Sequence, residues 1–173
     1  MNKQVIVGLC NPKSPANVGA VMRAAGCYDV QAVRYTGERF ARAAKYQTDT
    51  KNQRSQIPLT AVEDITGDLP AGFSRVCVEF AEGATPLPEF KHPANALYIF
   101  GPEDGSIAQS IVDKADAVVY VPTLGCMNLA ATVNVLLYDR LAKASLAITH
   151  NTPADHNAWV RKSRDVNNRL VVR

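Results

Sequence analysis

Three short segments of the chain share one arrangement, in which an apolar run ends in a turn of Gly, Pro, Asn or Glu residues. They are Asn11–Arg23, Leu97–Gly105 and Val118–Asp139. Each run is typical of a buried strand, and two of the three turns open a segment with helical periodicity. Open parallel sheets bind ligands beyond the carboxyl ends of their strands. The chain is therefore predicted to form a parallel sheet with a ligand crevice at one edge.

The rest of the sequence predicts the same α/β class, with a parallel sheet covered by helices on both faces. Strands are predicted at Gln4–Leu9, Val30–Tyr35, Arg75–Phe80, Leu97–Phe100 and Ala117–Val121. Helices are predicted at Asn17–Ala25, Glu38–Tyr46, Thr60–Ile65, Ser106–Ala115 and Met127–Leu146. Asn17 is expected to cap the first helix. The last helix is predicted to carry one apolar face, formed by Leu129, Val133, Leu136, Leu137, Leu141 and Ala144.

Length and composition favour a single globular domain, because 173 residues with 47% hydrophobic content are enough to bury a core. We expect residues 1–148 to form this domain and residues 149–173, which are polar and basic, to form an arm of it. The N-terminus lacks a signal-peptide pattern, and no apolar run approaches the roughly 20 residues of a membrane helix. The sequence therefore predicts a cytoplasmic protein with no membrane contact.

The cysteines and histidines are too scattered to indicate a disulfide framework or a metal site. Cys10, Cys27, Cys77 and Cys126 include no Cys-x-x-Cys pair, and the three histidines lie far apart. We therefore expect free thiols in a reducing compartment and no bound metal.

Positive charge is concentrated in two stretches, although the net charge is only +3. Arg34–Arg54 has six Lys or Arg against two acids, and His150–Arg173 has five against two. Such stretches suit a polyanion, and the aromatic residues among them offer stacking surfaces for bases. Those aromatic residues are Tyr35, Phe40, Tyr46 and Trp159. A pair of solvated surfaces fits the charge pattern equally well.

The first segment combines a polar helix start with one arginine in an apolar helix. Asn17 can satisfy free N–H groups there, and Gly19 permits close approach of a partner chain or a ligand. Arg23 lies between apolar residues, where its guanidinium needs a carboxylate or phosphate partner. A structural salt bridge and a catalytic role both remain open for it.

The other two turns place polar groups directly after buried strands. Gly101–Gly105 predicts a tight turn with an acidic side chain, but neither a dinucleotide fingerprint nor a phosphate loop follows at the required spacing. Asn128 stands at the start of the long helix, where its simplest role is an ordinary cap.

Together these residues resemble the ordered motifs of the SpoU (TrmH-like) class of the SPOUT superfamily of RNA methyltransferases. The first motif, Asn-x-Gly-x-x-x-Arg, is matched by Asn17, Gly19 and Arg23, and the second by Gly101-Pro102-Glu103. The third is matched by Val121-Pro122, Cys126-Met127-Asn128-Leu129 and Tyr138-Asp139. The resemblance covers most of the chain.

The resemblance implies a fold, a cofactor and a reaction. The sheet would end in a C-terminal trefoil knot that binds S-adenosyl-L-methionine, and a second copy of the chain would complete the active site in a homodimer. The reaction would be 2′-O-methylation of ribose in tRNA or rRNA. Arg23 would position the hydroxyl, because a guanidinium stays protonated and is a poor base. Asn17, Glu103 and Asn128 would orient the other groups of the catalytic site.

The same resemblance implies a cofactor pocket formed by strand ends. Its expected residues are Glu79, Phe80, Gly101, Val121, Leu124, Cys126 and Met127. Cys126 replaces the serine of the family, and the turn before it is shorter than the family's. These departures leave open a non-catalytic RNA-binding relative with an altered cofactor loop. A nucleotide-binding α/β protein unrelated to RNA is a third hypothesis.

Overall fold

A single parallel sheet forms the body of the protein in the computed structural model, which describes residues 4–44, 57–145 and 153–172. The sheet has seven strands in the order β3-β2-β1-β6-β4-β7-β5, and all neighbours are parallel. They are β1 (Val5–Leu9), β2 (Ala32–Tyr35), β3 (Leu59–Ala61), β4 (Ser74–Val78), β5 (Thr85–Pro86), β6 (Ala96–Phe100) and β7 (Ala117–Tyr120). The predicted α/β class is thereby confirmed.

The described residues form one 3₁₀ helix at Leu87–Glu89 and five α-helices. The α-helices are α1 (Pro15–Cys27), α2 (Arg39–Ala44), α3 (Gln109–Val112), α4 (Leu129–Ser145) and α5 (Pro153–Ser163). The chain divides into two compact units, Met1–Leu141 with the sheet and Ala142–Arg173 with α5. The predicted boundary after residue 148 lies outside the described residues, as do the predicted helix ends at Tyr46 and Leu146, and that boundary stays a prediction.

The two faces of the sheet carry separate apolar clusters because side chains alternate along each strand. One cluster joins strand residues such as Val7 and Phe100 to α1 and α4. On α4, Val133, Leu136 and Leu137 are buried as predicted, whereas Leu141, predicted for the same face, is exposed. The other face packs Leu97 and Ile99 of β6 and Cys77 of β4 against two loop residues, Ile65 and Ile107. Gly8 fits this second face because a Cβ there would lie 3.0 Å from the Ile65 side chain. Both faces are covered, one of them by loops and the short α3.

Two short edge strands differ from the sequence prediction. The predicted helix at Thr60–Ile65 is wrong, since Leu59–Ala61 forms β3 beside β2. The backbone N–H of Val62 donates to the carbonyl oxygen of Tyr35 at 2.8 Å, which continues this parallel pairing. Thr85–Pro86, predicted as loop, pairs with β7 as β5. Three-residue and two-residue strands have too little sequence for a periodicity to appear, and their partners lie far along the chain.

The start of α1 corrects another expectation, because Ser14 and not Asn17 caps this helix. The Ser14 hydroxyl accepts from the backbone N–H of Asn17 at 3.3 Å, and Pro15 begins the helix. Pro suits that position because its missing N–H would have had no helical partner. The Asn17 side chain is therefore released from capping and reaches the Gly101–Gly105 turn.

Within the described ranges, no helix combines the length and the apolar content needed to cross a membrane. No group of three or more His, Cys, Asp or Glu side chains there is arranged to hold a metal ion. All four cysteines are free thiols, with Cys10 and Cys77 buried and Cys27 and Cys126 exposed.

Candidate functional site

The turns that follow four adjacent strands line one cleft of about 290 Å³. The strands β1, β6, β4 and β7 are neighbours in the sheet, so their carboxyl ends meet at the same edge. Nine of the residues predicted for the site line this cleft, namely Asn17, Glu79, Phe80, Gly101, Glu103, Val121, Cys126, Met127 and Asn128. The three sequence segments singled out above thus converge at one place.

Glu103 links the turn after β6 to the loop between β1 and α1. Its carboxylate accepts the backbone N–H groups of Lys13 at 2.8 Å and Ser14 at 3.0 Å, and the Asn17 amide at 3.1 Å. Partial burial alone would raise the pKa of Glu103, but these hydrogen bonds outweigh it and the pKa is lowered. The ionised carboxylate therefore fixes one wall of the cleft.

A second carboxylate, that of Glu79, joins the ends of β4 and β6. One oxygen accepts the backbone N–H of Ile107 at 3.0 Å and the other accepts the N–H of Phe80 at 3.0 Å. Gly101 lies directly against this contact, because a Cβ there would stand 3.2 Å from the Glu79 carboxylate. The absence of a side chain at Gly101 is thus a packing requirement of the cleft.

The third wall is the turn between β7 and α4. Asn128 caps α4, since its side-chain oxygen accepts the backbone N–H of Ala131 at 2.8 Å. The Thr123 hydroxyl donates to the carbonyl oxygen of Gly125 at 2.7 Å and tightens the turn. Cys126 is exposed in the cleft, whereas Leu124 is fully exposed and does not line it.

Phe80 and Tyr120 form an aromatic side of the cleft, with ring centroids 5.6 Å apart. Phe80 is 56% exposed although it is apolar, so its ring is available to a ligand. Tyr120, with Thr123 and Thr132, is among the lining residues that the sequence reasoning missed. The position of Tyr120 at the end of a predicted strand, directly before Val121-Pro122, is the signal from which it could have been found.

Arg23 does not line the cleft. It lies on α1 with its neighbours Ala24 and Ala25 buried and its own side chain exposed. Among the residues the structure describes, no carboxylate forms an ion pair or a hydrogen bond with Arg23, so the structural salt bridge considered for it is not found there.

A buried polar network supports α4, the helix behind the third wall. His92 contacts the Tyr98 hydroxyl at 2.7 Å and the Asp139 carboxylate at 2.8 Å. Arg140 donates to the Tyr98 hydroxyl at 3.0 Å and to the carbonyl oxygen of Pro93 at 2.6 Å. The network ties α4 to β6 and to the segment that precedes it. It also gives Asp139, the last residue of the third motif, a structural contact.

Comparison with known proteins agrees with this architecture. The model of the SpoU rRNA Methylase family matches residues 4–138. No curated protein sequence matches the chain.

Solved structures of similar fold share little sequence with the chain. The SpoU methyltransferase AviRb from Streptomyces viridochromogenes aligns with a TM-score of 0.65 and 17% identity, over 85% of this chain and 62% of AviRb. The A. aeolicus TrmH/SpoU tRNA modifying enzyme aligns with a TM-score of 0.62 and 18% identity, over 92% of this chain and 87% of that enzyme. A structure described for 2-OH methylation of C/U34 on tRNA aligns with a TM-score of 0.67 and 18% identity, over 83% of this chain and 92% of that protein. The chain thus spans about three fifths of AviRb. The shared fold implies the predicted trefoil knot.

Proposed function

The chain belongs to the SpoU rRNA methylase family, and we propose from this that it transfers a methyl group from S-adenosyl-L-methionine to a ribose 2′-hydroxyl of tRNA or rRNA. The observation that carries the proposal is the single cleft that unites Asn17, Glu103 and Asn128 from three separate motifs. Structures of AviRb and of a Sinorhizobium meliloti rRNA methyltransferase are described as complexes with AdoMet.

The cleft residues have the chemistry that this cofactor requires. Apolar walls from Val78, Met127 and Leu129 suit the adenine ring, and the carboxylate of Glu79 suits a hydroxyl or an ammonium group. The cofactor supplies a methyl group already activated on a sulfonium. The protein must then chiefly align an oxygen with that methyl carbon and assist removal of a proton.

Arg23 is the residue we assign to the ribose hydroxyl or its neighbouring phosphate. A guanidinium binds phosphate by two parallel hydrogen bonds and stays charged, so it positions and stabilises an oxyanion without acting as a base. Because Arg23 is outside the cleft of its own protomer, we propose that it enters the cleft of a second copy. Glu103 acts as a positioning residue through the loop that it holds.

The exposed faces of α1 and α4 support such a homodimer. Ala16, Gly19, Ala20 and Arg23 share one exposed face of α1, where small residues allow a partner chain to approach closely. On α4, Val135, Tyr138 and Leu141 are exposed although they are large and largely apolar. Apolar residues of this size on one exposed face are typical of a contact surface.

Replacing Gly19 with phenylalanine is expected to separate the dimer without unfolding the protomer. A Cβ at Gly19 would meet no atom within 4 Å in the protomer, so a larger side chain has room there. Light scattering should show a particle of twice 18.7 kDa for the wild type and of 18.7 kDa for the variant. Gly19→Ala is the matched control, and it should keep the dimer. A dimeric Gly19→Phe protein would remove this face from the interface.

Titration calorimetry with S-adenosyl-L-methionine tests the proposed function first. The alkylation rates of two cysteines then report whether the cofactor binds in the cleft. Cys126 lines the cleft and is exposed, while Cys27 at the end of α1 is exposed and outside it. Bound cofactor should slow alkylation of Cys126 and leave the rate at Cys27 unchanged. Labelled methyl transfer to bulk tRNA and rRNA should follow.

A non-catalytic RNA-binding protein is the second candidate, and the turn before α4 favours it. Leu124 is fully exposed and Cys126 replaces a hydroxyl with a weaker hydrogen-bond group. If RNA binds while the cofactor neither binds nor protects Cys126, this second candidate replaces the first.

A further inference from the structure

Two cations share one carboxylate beside the cleft. Arg39 of α2 makes a bidentate contact with Asp104, at 2.9 Å to one carboxylate oxygen and 3.0 Å to the other. The Lys13 ammonium lies 3.5 Å from the same carboxylate. The three residues come from three separate parts of the chain, namely the loop after β1, α2 and the turn after β6.

This cluster adjoins the wall of the cleft through its own backbone. Lys13 donates its N–H to Glu103, and Asp104 follows Glu103 directly. The side chains of Lys13 and Asp104 are 65% and 48% exposed, so a large ligand can reach both. Hydrogen bonding to Arg39, followed by its charge and that of Lys13, lowers the pKa of Asp104, which keeps the carboxylate ionised.

A carboxylate held in this way occupies the position that a phosphate would take. Arg binds carboxylate and phosphate with the same two parallel N–H contacts, and a nearby Lys adds a point charge. An exposed pair of this kind contributes little to stability, so a ligand can displace it at small cost. Arg39 also belongs to the first basic stretch of the sequence, in which Arg42 pairs with Glu38.

We propose that Lys13 and Arg39 form a binding site for a backbone phosphate of the substrate RNA, and that Asp104 occupies this site until RNA displaces it. The inference rests on the proposed function, since it takes RNA as the substrate. Asp104 then acts as an internal competitor. An RNA that places a ribose in the cleft and a backbone phosphate at the cluster makes both contacts. Polyanions that make only one of these contacts should bind less tightly.

The test is the affinity for a labelled single-stranded RNA of mixed sequence, measured by fluorescence anisotropy over a range of salt concentrations. Asp104→Asn should bind RNA about threefold to tenfold more tightly at low salt, because Arg39 and Lys13 are no longer neutralised. Its salt dependence should steepen by about 0.7, the value of one phosphate contact on a single strand. Arg39→Gln should weaken binding by a similar factor.

A double-mutant cycle separates this local effect from net charge. In the Arg39→Gln background, Asp104→Asn should lose most of its gain. Asp113→Asn makes the same change of charge at an exposed carboxylate that accepts a hydrogen bond from the Gln109 amide, and it should leave RNA affinity nearly unchanged. If Asp113→Asn raised the RNA affinity as much as Asp104→Asn does, or if the two substitutions in the cycle had additive effects, the inference would be overturned.

Two further outcomes have distinct meanings. Weaker RNA binding by Asp104→Asn would show that the carboxylate only holds Arg39 in place, which also overturns the inference. Inorganic phosphate that binds the cluster without any effect of these variants on RNA would assign the site to a free anion instead. Because cofactor binding is measured separately, RNA that binds with the expected cycle but accepts no methyl group contradicts the proposed function alone.

Discussion

Replacing Arg23 with alanine should lower the rate of methyl transfer by about a hundredfold to a thousandfold, the usual effect of losing one group that stabilises a developing oxyanion. The affinity for S-adenosyl-L-methionine should change little, because Arg23 is assigned to the ribose hydroxyl or its phosphate and every residue that lines the cleft stays in place. Single-turnover kinetics with a labelled methyl donor and calorimetry with the cofactor measure the two quantities. Arg23→Lys should recover little, since a point charge does not replace the two-pronged contact.

A mixed dimer shows which subunit's Arg23 acts. Gly101→Val should block the cofactor cleft, because even a Cβ at that position stands 3.2 Å from the Glu79 carboxylate. If Arg23 serves the partner's cleft, a dimer of one Arg23→Ala chain and one Gly101→Val chain contains one intact site and one site that carries both defects. The intact site pairs the cleft of the Arg23→Ala chain with the arginine of the other chain. Random mixing should then restore about one quarter of wild-type activity. An inactive mixture, from chains shown to exchange, would place Arg23 in its own protomer's reaction.

The sequence predicts the central strands well because the residues of each strand are enough to identify it. β1, β6 and β7 are continuous apolar runs, and β4 has an apolar run over its last three residues, as is typical of strands covered on both faces. The turn residues after them mark the edge of the sheet where the cleft lies. β3 and β5 are different, because their pairing with β2 and β7 depends on partners and not on their own composition.

The side-chain contacts of the site could not be predicted from any local pattern. Asn17 is of a residue type that often caps helices, yet Ser14 caps α1. The Asn17 amide instead donates a hydrogen bond to Glu103, which lies 86 residues away in sequence. His92 and Asp139, 47 residues apart, were scattered single residues in the sequence and are neighbours in the fold. Such contacts depend on the strand order, which brings distant parts of the chain together. The sequence therefore identifies the turns but not the hydrogen bonds between them.

Replacing Glu103 with alanine should affect both stability and turnover, because one carboxylate accepts three hydrogen bonds from the loop that leads into α1. Hydrogen bonds to a charged group contribute more than neutral ones, but Glu103 is partly exposed, so we expect the free energy of unfolding to fall by about 1–2 kcal/mol. The loop would no longer hold Asn17 in the cleft. A displacement of this kind costs about a hundredfold in rate.

The stability difference between wild type and Glu103→Ala should itself depend on pH. The pKa of Glu103 is lowered from its ordinary value of 4.5 in the folded protein, so the carboxylate contributes its full stabilisation above that value and loses it as the pH falls through the folded pKa. Urea unfolding of both proteins at neutral pH and at successively lower pH should therefore give curves that converge on acidification. Glu103→Gln, which keeps one acceptor oxygen, should be intermediate at neutral pH and show no such convergence relative to Glu103→Ala. A wild-type advantage that persists unchanged below the folded pKa would mean that the ionised carboxylate does not hold this loop.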